Sequence, residues 1–558
     1  MLPRLLFLLL SAVSHAQTAD AILDNGHIWI APGKAASAIA LRGNRVLRAG
    51  TSAELAPLKG PKTRVFDLAG RAALPGFHDA HIHLLKGALS LIQADLNGAS
   101  SLTQVQERIR EYLKARPDEE WVLGRGWDHM LFDAKRYPSH EDLDVLSSTR
   151  PIALTNVDGH KLWANAEALR RAHITRRTPD PVNGKIERDS TGEPTGILSE
   201  SAVDAMQAVT PRPDRARKLA ALRILLKSAR ESGVTTVESI QDPVDFPPEE
   251  QLDLLRELER RGELTLRCLV WGRLDSPLSL GKPAPHDLST EKASYGGLTG
   301  FVDGAIGPRS AALLAPYTDA PTSGTPNYTD EELSRLVARA HRLGFAVALH
   351  AAGDRAARMA LDACASSEKD AFFRKAPLPG FPCRIEPIEL VDPHDIARFH
   401  ALHVAASAQP SGMTYDDETQ NYNPDRLGAR AARAFAWRSL EKAGAALIFG
   451  SDFPMMPLDP RVELFAATTR ENFNGKPDGG WNPEQRISLE NAISHYTKDP
   501  AAVADLLDQG TLEPGNLADI AVFDQDLIKI SGLPLLTVNL DMTIFDGKVV
   551  YERTLPKR

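Results

Sequence analysis

Between about Ala220 and Asp452 the chain repeats one local design: an amphipathic stretch, a glycine, then a short apolar run. Ala220 to Ser232 is followed by Gly233 and Val234-Thr235-Thr236-Val237; Glu332 to Leu343 by Gly344 and Val347-Ala348-Leu349; Ser439 to Ala443 by Gly444 and Ala446-Leu447-Ile448-Phe449. Glycine takes the left-handed conformation that ends a helix without steric cost, so each of these marks a helix stop. Thr329 and Glu332 have the spacing that caps a helix start. Helices that pass repeatedly into buried strands predict parallel β/α units, and this many in succession favour a barrel over separate domains. Chemistry in such a barrel belongs at the C-terminal ends of the strands.

Strand-rich segments bracket that region. One runs from Ala21 to about Leu74 and includes Ala38-Ile39-Ala40-Leu41 and Arg45-Val46-Leu47 about a turn at Gly43-Asn44; the other runs from about Asn516 to Glu552 and includes a hairpin turning at Asp546-Gly547. Both are expected to join in one small β-sandwich. The first sixteen residues stand apart: Arg4, the apolar run Leu5 to Leu10 and small residues before Gln17 read as a cleaved secretory signal, with export to the periplasm or medium. The expected layout is therefore a leader at 1–16, sandwich at 17–74 and 506–558, and a barrel at 75–505. An irregular polar insertion at about 96–206 follows the first barrel strand. Cys268, Cys364 and Cys383 are too few and scattered for a disulfide framework and are expected to be buried hydrophobes. With 65 basic and 73 acidic side chains the net charge is −8, which disfavours nucleic acid as a partner. A small-molecule substrate is expected, without membrane attachment once the leader is removed; assembly with further copies of the chain is left open.

The segment Pro75-Gly76-Phe77-His78-Asp79-Ala80-His81-Ile82-His83 is the most informative. At a strand end residues i and i+2 point to the same side, so His81 and His83 can share a metal. His350 follows the apolar run Val347-Ala348-Leu349, and Asp452 follows Leu447-Ile448-Phe449-Gly450-Ser451. A barrel would bring His81, His83, His350 and Asp452 to one rim, giving three imidazoles and a carboxylate of the kind that zinc and similar ions accept.

These segments, with Val157-Asp158-Gly159-His160, Phe301-Val302-Asp303-Gly304, His350-Ala351-Ala352-Gly353-Asp354-Arg355, Gln409-Pro410 and Gly515-Asn516-Leu517-Ala518-Asp519, resemble the amidohydrolase superfamily, in the branch that includes N-substituted formamide deformylases. The resemblance covers nearly the whole mature chain. It implies a distorted (β/α)₈ barrel with a β-sandwich assembled from both termini. It also implies His81 and His83 as first-strand ligands, His350 as the fifth-strand ligand, and Asp452 as the eighth-strand residue that touches both metal and water. Two positions depart from the family pattern. Thr299 stands where a lysine is usually carboxylated to bridge two metals, and Pro387 where a sixth-strand histidine is usual. Neither can be a ligand of that kind, so one divalent ion per chain, zinc by expectation, replaces the two-metal form.

Glu238, after Val234-Thr235-Thr236-Val237, is a candidate for a metal or proton role, because some relatives use a third-strand glutamate; a salt-bridged or solvated rim residue is the alternative. His160 either meets a substrate carbonyl or is a loop histidine satisfied by backbone. Asp303 and Arg309, like His78, Asp128 and His129, either line the pocket or pack. His403 reads as a helix stop, with His394 and His400 on the surface. The expected function is hydrolysis of an amide, formamide or cyclic amide C–N bond by activated water, with Asp452 taking its proton. The alternatives are a deaminase of an aminated heterocycle and a metal-binding barrel that has lost turnover.

Overall fold

The computed structural model describes residues 18–132, 136–157, 159, 161–181, 184–241, 246–275, 291–369, 378, 380–414 and 424–554. The expected leader and His160 lie outside these residues.

Eight parallel strands form the central sheet in chain order: Phe77–Ile82, Val234–Ser239, Arg267–Arg273, Ala293–Phe301, Ala346–His350, Cys383–Glu386, Val404–Ala408 and Leu447–Phe449. The sheet curls until its ends meet. Just past the eighth strand, the Asp452 amide donates to the His81 carbonyl (2.8 Å), and the His83 amide donates to the Phe453 carbonyl (2.7 Å). The anticipated local signals are present. Gly233, Gly344 and Gly444 have φ of 79°, 89° and 82°, behind the helices Arg215–Ser232, Asp330–Arg342 and Trp437–Lys442. Thr329 and Glu332 form a reciprocal capping box. His403, after the helix Pro393–Ala401, takes a φ of 50° and is exposed, as are His394 and His400.

Strands from both ends of the chain pack as two further sheets. One contains Arg45–Gly50, Ala38–Arg42, Ala21–Asp24 and Arg64–Asp67; the other contains Lys548–Glu552, Leu540–Phe545, Ile520–Phe523, Ala72–Pro75, His27–Ala31 and Lys34–Ala36. Leu23, Ile39, Leu41 and Val46 of the first meet Ile28, Val522, Met542 and Ile544 of the second in one apolar core. Arg267, the fully buried first residue of the third barrel strand, ties barrel to sandwich by pairing with Asp519 and Asp546.

Two expectations need correction. The insertion is not irregular: Ala94–Asp95, Val122–Trp127, Ile152–Asn156, Lys161–Ala164, Pro194–Glu200 and Gly184–Arg188 form a six-stranded sheet. Its own cores are built around Trp127, Trp163, Ile109 and Leu198. Its strands are two to seven residues long, too short for their period to stand out in the sequence. The cysteines are not all unpaired, because Cys364, on the helix Asp354–Glu368, is joined to Cys383 at the start of the sixth strand. That helix packs back on the strand that follows it, and the spacing of cysteines does not reveal such a return. Cys268 is free and buried. Among the described residues no helix is long and apolar enough to cross a membrane.

Candidate metal centre

The closure of the barrel builds the site. A Cβ at Gly450 would lie 2.5 Å from the His81 amide nitrogen, so only glycine lets the end of the eighth strand approach the first this closely. Asp79, buried in the first strand, secures the joint by accepting hydrogen bonds from the Ser451 amide (2.9 Å) and the Tyr496 hydroxyl (2.6 Å). Asp452 follows with a φ of 57°, a conformation that aspartate tolerates better than most residues. Its Oδ1 lies 3.4 Å from His81 Nε2 and 3.1 Å from His83 Nε2. Among the described residues, His81, His83 and Asp452 are the group whose donor atoms all fall within 4.8 Å of one another and suit a metal ion.

The imidazoles are held from behind. His83 Nδ1 lies 3.1 Å from the Ile240 carbonyl oxygen, and His81 Nδ1 meets the Glu386 carboxylate. With the proton kept on each Nδ1 and given up from Nε2, both Nε2 lone pairs face Asp452, and two nitrogens and a carboxylate oxygen converge as a divalent ion requires. Burial alone would depress the His81 pKa, but the Glu386 and Asp452 carboxylates outweigh it and bring it to about 9. Burial alone would raise that of Asp452; the two histidines hold it well below the usual carboxylate range.

His350 lines the same cavity of about 510 Å³ as these three residues. Its ring stacks on Phe301 at 5.0 Å, and its Nδ1 is 3.6 Å from Asp303 Oδ1. The four anticipated ligands thus share one cavity, with three in the tight group and His350 on the wall beside them. Thr299 and Pro387 also line it and, as anticipated, supply neither a carbamate nor an imidazole.

Other expectations fare differently. Glu238 lies on the second barrel strand, not the third, and does not line this cavity. It is fully buried, accepting from Trp271 Nε1 and Arg384 Nη1 at 2.9 Å each and facing His78 Nε2 at 3.2 Å. Its carboxylate is consumed beneath the rim, and His78 with it. Asp303 lines the cavity, but both its oxygens are taken by backbone amides of Ala312, Ala352 and Gly353 at 2.8–2.9 Å. It pins the loops that carry these amides. Arg309 does not line the cavity and pairs with Asp319 at 2.5 Å. Asp128 caps the Met130 amide within the insertion, and His129 packs against Tyr137 there.

Two cavity residues escaped the sequence reading. Glu386 precedes Pro387 at the end of the sixth strand, and Glu389 follows three residues later. Glu389 is 8% exposed, and its Oε2 is buried without a hydrogen-bond partner. Burial, with Asp303 and Asp452 nearby, pushes its pKa up to about 8. The signal in the sequence is their place at the end of a barrel strand and three residues beyond it.

The chain is similar to known proteins over most of its length. The chain is 31% identical to Protein LONG AFTER FAR-RED 3 of Arabidopsis thaliana over 534 residues, covering 90% of this chain and 87% of that one. It is 26% identical to N-substituted formamide deformylase of Arthrobacter pascens over 560 residues, 96% of this chain and 99% of the other. The crystal structure of an uncharacterized metal-dependent hydrolase from Pyrococcus horikoshii superposes with a TM-score of 0.72 at 27% identity, covering 92% of this chain and 98% of that one. Residues 64–551 match the model of the amidohydrolase family. The chain therefore belongs to the amidohydrolase family.

Proposed function

We propose that the protein hydrolyses a carbon–nitrogen bond in a small N-acyl, N-formyl or cyclic amide, with one divalent ion, zinc by preference, held by His81, His83, Asp452 and His350. The observation that carries this reading is the convergence of His81 Nε2, His83 Nε2 and Asp452 Oδ1 on the wall of the 510 Å³ cavity. The likeness to a formamide deformylase supports the bond type. A divalent ion bound there supplies Lewis acidity, lowering the pKa of water from ~15.7 toward ~7 and polarising a carbonyl oxygen.

The protein's own groups move the protons. Asp452, whose side chain is 34% exposed, accepts the proton of the attacking water through its carboxylate. As the C–N bond breaks, the nitrogen takes up a proton and leaves as an amine. Glu389 can deliver it, because its raised pKa keeps it protonated near neutrality. Glu389 thus takes the proton role expected of Glu238, which lies outside the cavity with its Oε2 bound by Trp271 and Arg384. Phe301, Phe435, Met455 and Met456 give the cavity apolar walls suited to the acyl or N-substituent.

The test is elemental analysis of the purified protein with a turnover screen over formamides, N-acyl amides, cyclic amides and aminated heterocycles. Amide or formamide turnover that needs the metal supports the proposal. Turnover confined to aminated heterocycles makes it a deaminase, and bound metal with no turnover makes it a binding protein. Export belongs to the same proposal, supported by the leader-like residues 1–16 and the Cys364–Cys383 disulfide. A mature N-terminus at Gln17 is the expected result of sequencing the exported form.

A further inference from the structure

The barrel interior below the metal centre is charged, where barrels of this kind are usually filled by branched apolar side chains. Arg384, on the sixth strand, is 2% exposed. Its Nε lies 2.6 Å from Glu386 Oε1, its Nη1 2.9 Å from Glu238 Oε2, and its Nη2 donates to the Ala80 carbonyl at 3.0 Å. The guanidinium also sits 4.4 Å from the centre of the Trp271 ring. The first, second and third strands, which supply Ala80, Glu238 and Trp271, are not neighbours of the sixth in the sheet, so these contacts cross the barrel. His78 closes the far end against Glu238 Oε1. The upper end is the Glu386 carboxylate on His81 Nδ1.

The two first-strand imidazoles are therefore supported unequally. His83 leans on a neutral carbonyl, and His81 on an ionised carboxylate locked by a buried arginine. A carboxylate behind an imidazole fixes the tautomer, orients the ring and strengthens the opposite nitrogen as a donor.

We propose that Glu386, anchored through Arg384 and Glu238, is the positioning residue of the metal centre, setting His81 as its strongest imidazole donor. This rests on the metal centre proposed above. It gives Glu238 a role at two removes from the cavity, and it gives the buried charges a purpose that core packing alone does not need.

Cobalt(II) alone is the probe, its dissociation constant measured by chelator competition on the full-length metal-free protein and its visible d–d spectrum recorded at saturation. Glu386→Gln, which keeps the shape but removes the charge, should weaken cobalt binding by ~10–100-fold and shift the spectrum. Glu386→Asp keeps the charge and should fall between Gln and wild type; it is the variant to read if Glu386→Gln does not fold. A folded variant that binds cobalt with wild-type affinity and spectrum overturns the inference, since packing support alone would leave both unchanged. His81→Ala is the reference. If it too leaves cobalt binding unchanged, the metal centre itself is wrongly placed and the inference falls with it. If His81→Ala loses cobalt while the Glu386 variants do not, only the inference fails.

Discussion

His83 Nε2 and Asp452 Oδ1 lie 3.1 Å apart across the seam where the first and eighth barrel strands meet. The donor set therefore exists only in a closed barrel, and a metal held there binds the folded chain in preference to the unfolded one. Free metal at one hundred times its dissociation constant should stabilise the protein by about 2.7 kcal/mol, with about one ion bound per chain. His81→Ala should abolish that gain. Thermal melts with and without chelator, with elemental analysis, are the measurement; two ions at full occupancy would contradict the proposed ligand set.

Asp452→Asn retains an oxygen donor while removing most of its basicity. Folding and much of the metal should persist, while turnover falls by ~10²–10⁴, the usual effect of losing a general base. Near-normal turnover would place proton acceptance elsewhere.

Glu389→Gln should leave metal content unchanged and lower kcat by ~10² or more on substrates with a poor leaving amine. The deficit should shrink for amides whose leaving nitrogen is already acidic, because those need less help from an acid. An equal loss across both groups of substrates would argue for a packing role.

Arg309→Ala should be nearly silent. Its pairing with Asp319, side chains 37% and 27% exposed, is of the surface kind worth about 0–1 kcal/mol. KM for any substrate found should stay within ~2-fold of wild type, and a large rise in KM would restore Arg309 to the substrate site.

The buried His341 gives the protein an acid limit apart from the metal. Its Nδ1 lies 2.6 Å from Ser367 Oγ and its Nε2 3.1 Å from the Pro382 carbonyl oxygen. Burial pushes its pKa down from 6.5 to about 4, despite the Pro382 contact. The unfolded chain then binds the proton first, so stability is full above pH 6.5 and is lost as pH falls toward 4. That gap is worth about 3 kcal/mol. Urea midpoints at pH 7 and pH 4.5 should show His341→Gln losing less on acidification than wild type.

What could be read in the sequence was local. Gly233, Gly344, Gly444 and the Thr329–Glu332 pair announce helix ends through backbone rules that act over a few residues, and the barrel follows from their repetition. His350 and Asp452 are legible because each follows an apolar run, and His81 and His83 because their i, i+2 spacing turns both to one side of a strand end. Arg384, Glu238 and His78 are not, since their partnership depends on which side chains point inward once non-neighbouring strands face each other. The pairing of Arg309 with Asp319 is equally out of reach, since a place beside a family motif says nothing of a partner ten residues on. The Cys364–Cys383 pair likewise depended on a helix folding back on the next strand.

The strand Ala72–Pro75 is flanked on one side by His27–Ala31 and on the other by Ile520–Phe523. During synthesis its second neighbour arrives only after the whole barrel has been made, 520 − 75 = 445 residues later. At ~5–20 residues per second that delay is on the order of 20–90 s. For that interval the growing chain carries the edge of Ala72–Pro75 without Ile520–Phe523 paired to it. Its vulnerability to aggregation is thus set by elongation time and by whatever shields the nascent edge, more than by the stability of the finished fold.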